Sequence, residues 1–592
     1  MQKISIGVFL FLLVVLIFLP RLLSLESHWS SDERPWMRRS LNFVSAMEKG
    51  DFAETRIVYH PGVTTTWLGG AAIWMASGRH SVAEWAKSTA FFSPENLARL
   101  RFPIAFVSGV LILIAGGLVY RLFGGWCAGV ATLFFAIEPF LLAETRRVHT
   151  DVLTAEFLLL TVLLWLCYLE DETPRPRDLL FSGICFGWAC LTKSHASVFL
   201  LFLPFLLFWY VKHRRLSGAK MFISALFFSA VTVFTVLCTW PYLWTVTLGD
   251  RYISPLLFWV AGGTVFWSWR KLSKHTALSR TEIILLSIGL CLMAGLLATA
   301  SRLVFERMYY VLTNAHELPK LFLGKIRYNP GPLFYPVMGF VWSAPLTVPL
   351  TLVAIYGAWR QRLQAKKIFR ITVALLLFGV FYCIGLSLVA KKIARYLVIF
   401  LPAVSLLSAM GAIYIRQHIE KKSLGWLFIV AVVVLQVAPV LRLHPYYATY
   451  HFPLLPAQWV AKNTTLGGGV GLEVAAAYLN AKPDAQHLQV RVSRFSGGLN
   501  EYFVGKTGRR RNSQTLEKNI DFDYDVEYVR DRQIQGTPVD APPEEGVPSN
   551  VLQLRNALAR ELEHVVQLNG IDYVWIYRVL DTRANAVPAE TQ

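Results

Sequence analysis

Long apolar runs separated by short polar turns dominate the chain up to about residue 441. The first run, from Ile4 to Pro20, follows a single basic residue and lacks a small-x-small cleavage site, which predicts an uncleaved signal anchor with a cytoplasmic N-terminus. Later runs approach or reach the roughly 20 residues that a bilayer-spanning helix needs. They occupy residues 102–121, 126–142, 152–169, 179–193, 196–211, 219–239, 253–270, 281–300, 333–355, 371–390, 396–415 and 424–441.

The positions of Lys and Arg orient these runs in the membrane. Cytoplasmic loops of membrane proteins are enriched in basic residues. If every run spans, the basic clusters at 212–215, 269–271, 360–370 and 416–422 all lie on the cytoplasmic side. The pattern predicts about thirteen spans, with the N-terminus inside and the C-terminus outside.

One further apolar segment, Val63 to Ser77, is ambiguous. Counting it as a span would move every later loop to the opposite side and place the basic clusters outside. We therefore interpret it as a juxtamembrane or re-entrant helix within a long first exterior loop, residues 21–101.

The chain divides into two predicted domains. Residues 1–443 form a transmembrane domain, and residues 444–592 form a small exterior α/β domain that ends in the strand-like Tyr573 to Tyr577. Within the second domain, residues 505–550 are rich in charge, Gly and Pro, which predicts a flexible segment. The expected fold is an α-helical polytopic membrane protein with an exterior C-terminal α/β domain.

Composition supports this class of protein. Hydrophobic residues make up 55% of the chain and charged residues only 16%, against about 25% charge in soluble domains. This excludes a disordered chain and argues strongly against an ordinary soluble enzyme. The net charge of +20 is explained by cytoplasmic loops, so nucleic acid is a weak interpretation.

Cysteine usage agrees with a membrane protein. The seven cysteines lie within or beside apolar runs, and none follows Cys383, so the polar tail has no disulfide. Their spacing does not indicate a zinc site.

Charged residues next to the first and third spans are candidates for chemistry. Asp32 and Glu33 open the first exterior loop, although they could simply be helix N-terminal charges capped by Ser31. His60 and Pro61 follow in the same loop, where a plain turn is the alternative.

A second group lies at the outer end of the third span. The turn from Arg146 to Asp151 contains cations, a histidine and a carboxylate, although Arg and Asp beside helices are also common interface residues. Glu138 lies inside the preceding apolar run, where a carboxylate normally faces a polar cavity. The candidates in the turn are Arg146, Arg147, His149 and Asp151.

Further candidates occur later in the chain. Lys193 separates two short apolar helices, where it could snorkel to the interface or meet a polar headgroup. Tyr335 belongs to an aromatic and proline-rich span entrance of the kind that forms interfacial belts. The turn containing Lys391, Lys392, Arg395 and Tyr396 is basic yet predicted outside, and an anionic ligand at the membrane surface would explain it.

Together these residues suit a membrane-embedded transferase. A carboxylate can remove the proton of an acceptor hydroxyl. Cations can hold a phosphate and stabilise charge as it leaves. Grooves between spans can accommodate a long lipid.

The ordered set of motifs resembles the GT-C superfamily of membrane glycosyltransferases. The motifs are D-E after the first span, H-P-G-V, R-R-V-H-T-D, L-T-K, P-G-P-L-F-Y-P and K-K-I-A-R-Y-L-V-I-F-L-P. The likeness is to glycosyltransferase family 39, which includes protein O-mannosyltransferases and the aminoarabinose transferases of lipid A. It covers about residues 1–441, and the tail segment H-P-Y-Y-A-T-Y-H-F-P-L-L resembles bacterial members with an exterior C-terminal domain.

The resemblance implies a reaction and roles for residues. It implies a polyprenyl-phosphate-linked sugar donor, transfer at the exterior face and inversion at the anomeric carbon. Asp32 would be the catalytic base with Glu33 beside it, and Asp151 would orient the acceptor or the catalytic loop. The remaining candidates would bind substrate: His60, Arg146, Arg147, His149, Lys193, Tyr335, Lys391, Lys392, Arg395 and Tyr396. His60 departs from the Lys of the aminoarabinose transferases, although His occurs in other relatives.

The same resemblance bears on partners and location. No cofactor is expected, because family 39 members generally do not need a metal. The acceptor would be an exterior lipid, protein or glycan, and the protein would lie in a prokaryotic plasma membrane. The alternatives are a multi-span transporter or flippase for lipids or lipid-linked sugars, which typically shows repeats and charges near the bilayer midplane, and a related polymerase or ligase of lipid-linked oligosaccharides.

Overall fold

The structure is a computed structural model of the whole chain. It describes residues 2–30, 32–56, 61–78, 80–88, 90–214, 216–245, 319–389, 391–493, 497–509, 522–534 and 560–580. The predicted spans at 253–270 and 281–300 lie outside these described residues, as does the candidate His60.

The first part of the described chain is entirely helical. Its α-helices are α1 (Gln2–Leu22), α2 (Glu33–Glu48), α3 (Val63–Ser77), α4 (Val82–Ser88), α5 (Pro94–Phe123), α6 (Gly125–Ile137), α7 (Pro139–Thr145), α8 (Asp151–Glu170), α9 (Pro176–Thr192), α10 (Phe199–Arg214) and α11 (Gly218–Thr239). Short 3₁₀ turns lie at Phe52–Thr55, Ser194–Val198 and Pro241–Thr245.

A hairpin and five longer helices follow. The hairpin pairs β1 (Lys320–Phe322) with β2 (Lys325–Arg327) in antiparallel register. The helices are α12 (Phe334–Trp342), α13 (Thr347–Arg360), α14 (Lys366–Leu388), α15 (Leu401–His418) and α16 (Lys422–Leu443). A 3₁₀ turn at Ala394–Ile399 precedes α15, and another at Tyr447–Thr449 follows α16.

Within the described residues, six helical segments are long and apolar enough to cross a membrane, and the number rises to eight if each of two bent helix pairs is one span. The bent pairs are α6 with α7, at 62°, and α12 with α13, at 109°. These segments make the chain an integral membrane protein. The predicted total of thirteen spans stays a prediction.

The surfaces of these helices agree with contact to lipid. Large apolar side chains lie exposed on the outside, including Phe208 at 69% and Leu388 at 83%. A soluble protein rarely exposes so many large apolar side chains, whereas lipid tails solvate them without cost. By contrast, the apolar window of α8 is 100% buried, so α8 is the central helix of the bundle.

The tail contains a mixed sheet. Its helices are α17 (Ala457–Asn463), α18 (Leu472–Asn480) and α19 (Val529–Ile534), and its strands are β3 (Gln489–Val492), β4 (Lys506–Arg509), β5 (Tyr524–Tyr528), β6 (Arg560–Leu568) and β7 (Ile571–Val579). The five strands lie in the order β4-β3-β5-β7-β6. Strand β3 runs parallel to β4 and β5, while β7 pairs antiparallel with β5 and β6.

Parts of the predicted flexible segment 505–550 have regular structure. Strands β4 and β5 and helix α19 all fall within that range. All five residues of β5 are buried, because Val526 and its neighbours lie between β3 and β7 in the sheet. The charge and Gly content of this segment predicted flexibility, although the segment contains β5, the central strand of the sheet.

Candidate functional site

Asp32 and Arg395 form the accessible part of a charged cluster. Asp32 immediately precedes α2, and Arg395 lies in the 3₁₀ turn before α15. The Arg395 guanidinium donates a hydrogen bond from Nη1 to Oδ2 of Asp32. The Asp32 side chain is 46% exposed and the Arg395 side chain 22% exposed, so a bound molecule can reach both groups.

Asp151 is the buried centre of the same cluster. Its Oδ1 accepts a hydrogen bond from Lys193 Nζ, while its Oδ2 lies 3.0 Å from Nε of Arg395 and 2.8 Å from Nδ1 of His149. The side chains of Asp151 and Lys193 are only 1% and 2% exposed. Arg395 thus joins the accessible carboxylate of Asp32 to the buried carboxylate of Asp151.

Asp151 and Lys193 meet at the ends of two helices. Asp151 begins α8, where the helix N-terminus favours a carboxylate. Helix α9 ends at Thr192, and Lys193 has extended backbone angles of φ −156° and ψ 129° before a 3₁₀ turn. Lys193 Nζ also lies 4.3 Å from the centre of the Tyr396 ring, a cation–π contact.

The surroundings set the protonation of the cluster. Burial raises the pKa of Asp32, but the charge of Arg395, a smaller effect of His149 and the hydrogen bond from Arg395 outweigh burial and lower that pKa to about 2. Burial, followed by the charge of Arg395, lowers the pKa of His149. At neutral pH the site therefore contains an ionised Asp32 and a neutral His149.

Helix α2 contributes an aromatic and a cation to the same site. Trp36 contacts the His149 ring edge-on, with centroids 6.0 Å apart, and the Arg39 guanidinium lies 4.5 Å from the Trp36 ring centre. The charge of Asp32 acts on Arg39. Trp36 and Arg39 follow Asp32 by about one and two helical turns, which is a spacing that places them on one face.

Gly62 of the H-P-G-V motif packs against Trp36. Gly62 has a φ of +59° and starts α3, and a Cβ atom there would overlap the Trp36 ring. Its N–H donates to the carbonyl of Thr192, 3.1 Å away, immediately before Lys193. Gly62 therefore helps to hold α2, α3 and the break after α9 together.

Glu33 has a different environment from its neighbour Asp32. It forms a buried ion pair with Arg101, and both side chains are 1% exposed. Its carboxylate also accepts hydrogen bonds from the backbone N–H groups of Ser30 and Val148, at 3.0 and 2.9 Å. Glu33 thus connects α2 to α5 and to the turn before α8, and it does not face the cluster.

Other candidates from the sequence lie outside the cluster. Arg146 donates to the carbonyls of Pro20 and Ser24, and Arg147 pairs with Glu144 at 2.6 Å. Lys392 donates to Oδ1 of Asn329 and to the carbonyl of Val389, both at 2.9 Å.

Two candidates lie beside the Arg395 turn. Tyr335 is fully buried, and its hydroxyl accepts a hydrogen bond of 3.4 Å from the N–H of Ile393. Lys391 is partly exposed.

The tail reaches this site, which the sequence analysis did not predict. A Cβ atom on Gly469 would overlap the carbonyl oxygen of Trp29, and one on Gly468 would lie 2.9 Å from Nη2 of Arg147. Arg530, at the start of α19, lies within electrostatic range of both Asp32 and Arg395. No sequence pattern links Arg530 to the first loop, so only the fold reveals it.

The cluster can support acid–base and anion chemistry. Asp32 is an ionised, accessible carboxylate that can accept a proton, and Arg395 and Lys193 are cations that can stabilise an anion. In the part of the chain that the structure describes, no group of three or more His, Cys, Asp and Glu side chains could hold a metal ion.

Part of the chain matches a known family. Residues 85–259 match the model of dolichyl-phosphate-mannose-protein mannosyltransferases. The matched segment is less than a third of the chain; it contains Asp151 and Lys193 but neither Asp32 nor Arg395. No curated protein matches this chain.

Two solved structures are distantly similar. The apo oligosaccharyltransferase of Archaeoglobus fulgidus is 13% identical with a TM-score of 0.47, and the similarity covers 90% of this chain and 71% of that one. ArnT from Cupriavidus metallidurans, bound to undecaprenyl phosphate, is 11% identical with a TM-score of 0.46, covering 97% of this chain and 98% of that one. Both likenesses are too distant to support an argument about the site.

The family match confirms two predictions from the sequence. The first is the resemblance to the GT-C membrane glycosyltransferases, and the second is that the chain is a glycosyltransferase.

Proposed function

Since this chain is a glycosyltransferase with a family match over residues 85–259, we propose that it transfers a sugar from a polyprenyl-phosphate carrier to a hydroxyl acceptor at the exterior membrane face. The observation that carries this proposal is the pairing of an accessible carboxylate, Asp32, with Arg395 above the buried Asp151–Lys193 pair. The carboxylate of Asp32 can accept a proton from a hydroxyl, and the guanidinium of Arg395 can stabilise a phosphate that gains negative charge.

Asp32 is the proposed general base. It accepts the proton of the acceptor hydroxyl while the acceptor oxygen bonds to the anomeric carbon of the sugar. The bond from that carbon to the phosphate oxygen breaks on the opposite face, so the configuration inverts and polyprenyl phosphate leaves. Asp32 suits this role better than Asp151, because the Asp151 side chain is only 1% exposed.

The proposed phosphate ligands are Arg395, whose side chain is 22% exposed, and the partly exposed Lys391, while the buried Lys193 adds positive charge beneath them. The guanidinium of Arg395 has fixed N–H donors that suit phosphate oxygens. Asp151 holds Arg395 and Lys193 in place. His149, neutral at pH 7, orients Asp151 through its 2.8 Å contact. Tyr396 packs on Lys193, and Tyr335 supports the turn that contains Arg395.

Four candidates receive structural roles in this proposal. Glu33 connects helices through Arg101, Arg146 and Arg147 hold the turn before α8, and Lys392 holds the proline-rich loop through Asn329. His60 remains a candidate substrate contact from the resemblance.

The proposed placement in the membrane follows the charge pattern of the sequence. The transmembrane domain is residues 1–443, with about thirteen spans and a cytoplasmic N-terminus. Residues 444–592 form the exterior α/β domain, and the membrane is a prokaryotic plasma membrane. Support comes from the contacts of the tail with Trp29 and Arg147, because these contacts require the tail and the Asp32 loop to lie on one side.

The test is donor consumption by the purified protein in nanodiscs. We expect wild type to release the sugar from one member of a radiolabelled panel of polyprenyl-phosphate sugars, and Asp32→Asn to slow this by about 10²–10⁴-fold, as for loss of a general base. Asp51→Asn is the matched control, because Asp51 is exposed on the same loop and only accepts a hydrogen bond from the Glu54 N–H.

Other outcomes would contradict the proposal. Equal donor consumption by wild type and Asp32→Asn would remove Asp32 as the base. In sealed proteoliposomes, movement of intact labelled lipid from one leaflet to the other without sugar release would favour the transporter.

A further inference from the structure

Lys193 follows directly on the end of a helix. Helix α9 ends at Thr192, and the Lys193 N–H still donates to the carbonyl of Ala189 at 2.9 Å, as in a helix. The extended backbone of Lys193 then turns the chain away, so the last carbonyl groups of α9 lack partners within the helix. Helix ends of this kind fray unless another element supplies the missing donors. The position of Lys193 therefore depends on what holds the end of α9.

The first turn of α3 holds this end through two hydrogen bonds. The Gly62 N–H donates to the carbonyl of Thr192 at 3.1 Å, and the hydroxyl groups of Thr64 and Thr192 lie 2.6 Å apart. The Thr192 hydroxyl donates to the carbonyl of Trp188, also at 2.6 Å. Since a hydroxyl has a single proton to donate, Thr64 is the donor in the bond between the two threonines. Both the backbone and the side chain of Thr192 thus accept from α3.

A third contact fixes α3 itself. Trp67, about one turn into the helix, donates from its indole N–H to the carbonyl of Thr239 at 2.9 Å. Thr239 is the last residue of α11, and its hydroxyl accepts a bond of 3.4 Å from the indole N–H of Trp188 in α9. The start of α3 therefore binds the ends of both α9 and α11, and it cannot leave Thr192 without straining its contact with α11.

The Lys193 side chain leads from this junction to the proposed donor site. Thr192 and Lys193 are both buried, and the Lys193 amine donates to Oδ1 of Asp151. The other carboxylate oxygen of Asp151 lies 3.0 Å from Nε of Arg395. Because the amine lies at the end of a flexible four-carbon stem, its place beneath Arg395 depends on where the backbone of Lys193 is held. A shift at Thr192 therefore reaches the proposed phosphate ligand through only two side chains.

We propose that Thr64 and Thr192 are positioning residues, and that the hydrogen bond between them holds Lys193 against Asp151 and so sets the affinity for the donor phosphate. Neither threonine contacts substrate in this proposal, because both act through Lys193. The alternative is that the bond only stabilises the fold. The inference rests on the proposed function for the identity of the donor, whereas the placement of Lys193 is testable without any substrate.

The first test measures how well Lys193 is protected. Purified protein in nanodiscs is treated with formaldehyde and dimethylamine–borane, which methylate lysine amines, and the rate at each lysine is measured by peptide mass spectrometry. Thr64→Val keeps the shape of the side chain and removes the donor. We expect methylation of Lys193 to become about tenfold faster, as for loss of one buried hydrogen bond. Methylation of Lys392, which is buried in the turn before α15, should change by less than about twofold.

Conservative variants separate the threonine bond from general loosening. Thr64→Ser keeps the hydroxyl and should restore the protection of Lys193. Thr66→Val is the matched control, because Thr66 is buried on the same helix but its hydroxyl donates to the carbonyl of Val63 within that helix, at 2.9 Å. Combining Thr64→Val with Thr192→Val should expose Lys193 no more than Thr192→Val alone, because both changes remove the same bond.

The second test measures donor binding and transfer on the same preparations. We expect Thr64→Val to weaken binding of labelled polyprenyl phosphate by about three- to tenfold and to raise the KM of the donor by the same factor. The KM of the acceptor should stay within about twofold, because the acceptor contacts Asp32 in the proposed mechanism. Thr64→Ser and Thr66→Val should bind the lipid as wild type does.

Four results would overturn the inference. They are an unchanged methylation rate of Lys193 in Thr64→Val, equal increases at Lys193 and Lys392, the same increase in Thr66→Val, or faster methylation of Lys193 without weaker lipid binding. Failure of wild type to bind or consume any polyprenyl-phosphate donor would instead refute the proposed function. The methylation rates would still decide whether the two threonines hold Lys193.

Discussion

Glu33 offers a sharp test, because the resemblance places it beside the catalytic base whereas the structure places it in a buried ion pair. Its Oε1 accepts from Nε of Arg101 at 2.8 Å and from the Val148 N–H at 2.9 Å. Its Oε2 accepts from Nη2 of Arg101 at 2.5 Å and from the Ser30 N–H at 3.0 Å. Each carboxylate oxygen therefore faces two donors.

Glu33→Gln keeps the shape of the side chain and removes this complementarity. Whichever way the amide is oriented, its NH₂ group faces two N–H donors, and the charge of Arg101 loses its only acidic partner among these contacts. Breaking a buried ion pair from one side costs about 3–5 kcal/mol. We expect the variant to lose stability by this amount, with a thermal unfolding midpoint several degrees lower.

The assay measures unfolding and donor consumption on the same preparations. Glu48→Gln is the control, because Glu48 lies exposed on the same helix, α2, and the glutamine oxygen can still accept the hydrogen bond that the Glu48 carboxylate accepts from the Val82 N–H. Loss of stability with activity retained at low temperature supports the structural role. An unchanged unfolding midpoint combined with abolished transfer would refute it and return Glu33 to the catalytic machinery.

Two further variants test the site. Without Arg395, burial should raise the pKa of Asp32 from about 2 to above its usual value near 4. Because a base works only when deprotonated, kcat/KM of Arg395→Gln should fall as the pH is lowered from about 6 to about 4. A pH profile as flat as that of wild type over this range would refute the effect of Arg395 on Asp32. Gly469→Ala should lower both stability and transfer, because its Cβ atom would overlap the Trp29 carbonyl. Gly50 also has a positive φ but no heavy atom within 4 Å of an added Cβ atom, so Gly50→Ala should cost only the backbone strain of about 1–2 kcal/mol. Equal effects of the two variants on transfer would contradict contact between the tail and the first loop.

Sequence reasoning found the cluster because its members interrupt apolar segments. Asp151 and Lys193 each lie where a long helix begins or ends, and charges are costly there unless they have partners. The basic turn at Lys391 to Tyr396 was found because it breaks the positive-inside pattern. Such signals identify charged residues at positions where a charge is unfavourable without a partner. In the structure, the partners of Arg395 are Asp32 and Asp151.

The sequence could not show that the adjacent residues Asp32 and Glu33 have different environments, or that the tail meets the first loop. Asp32 and Glu33 are adjacent, yet successive positions at a helix start point in directions about 100° apart. One carboxylate is therefore exposed and the other is buried against Arg101. Arg530 depends on the assembly of the tail sheet, and no local pattern in the sequence encodes where that sheet meets the first loop.

The charges around Asp32 have a consequence for the order of the reaction. A carboxylate with a pKa of about 2 is ionised but weakly basic, and general bases work best when their pKa lies near the working pH. Arg395 is the group that lowers this pKa, and it is also a proposed ligand of the donor phosphate. When phosphate oxygens take over part of its hydrogen bonding, Asp32 loses stabilisation and its pKa rises. In the proposed mechanism, donor binding would therefore strengthen the base before the acceptor hydroxyl is deprotonated, which favours a sequence in which the lipid-linked sugar binds first.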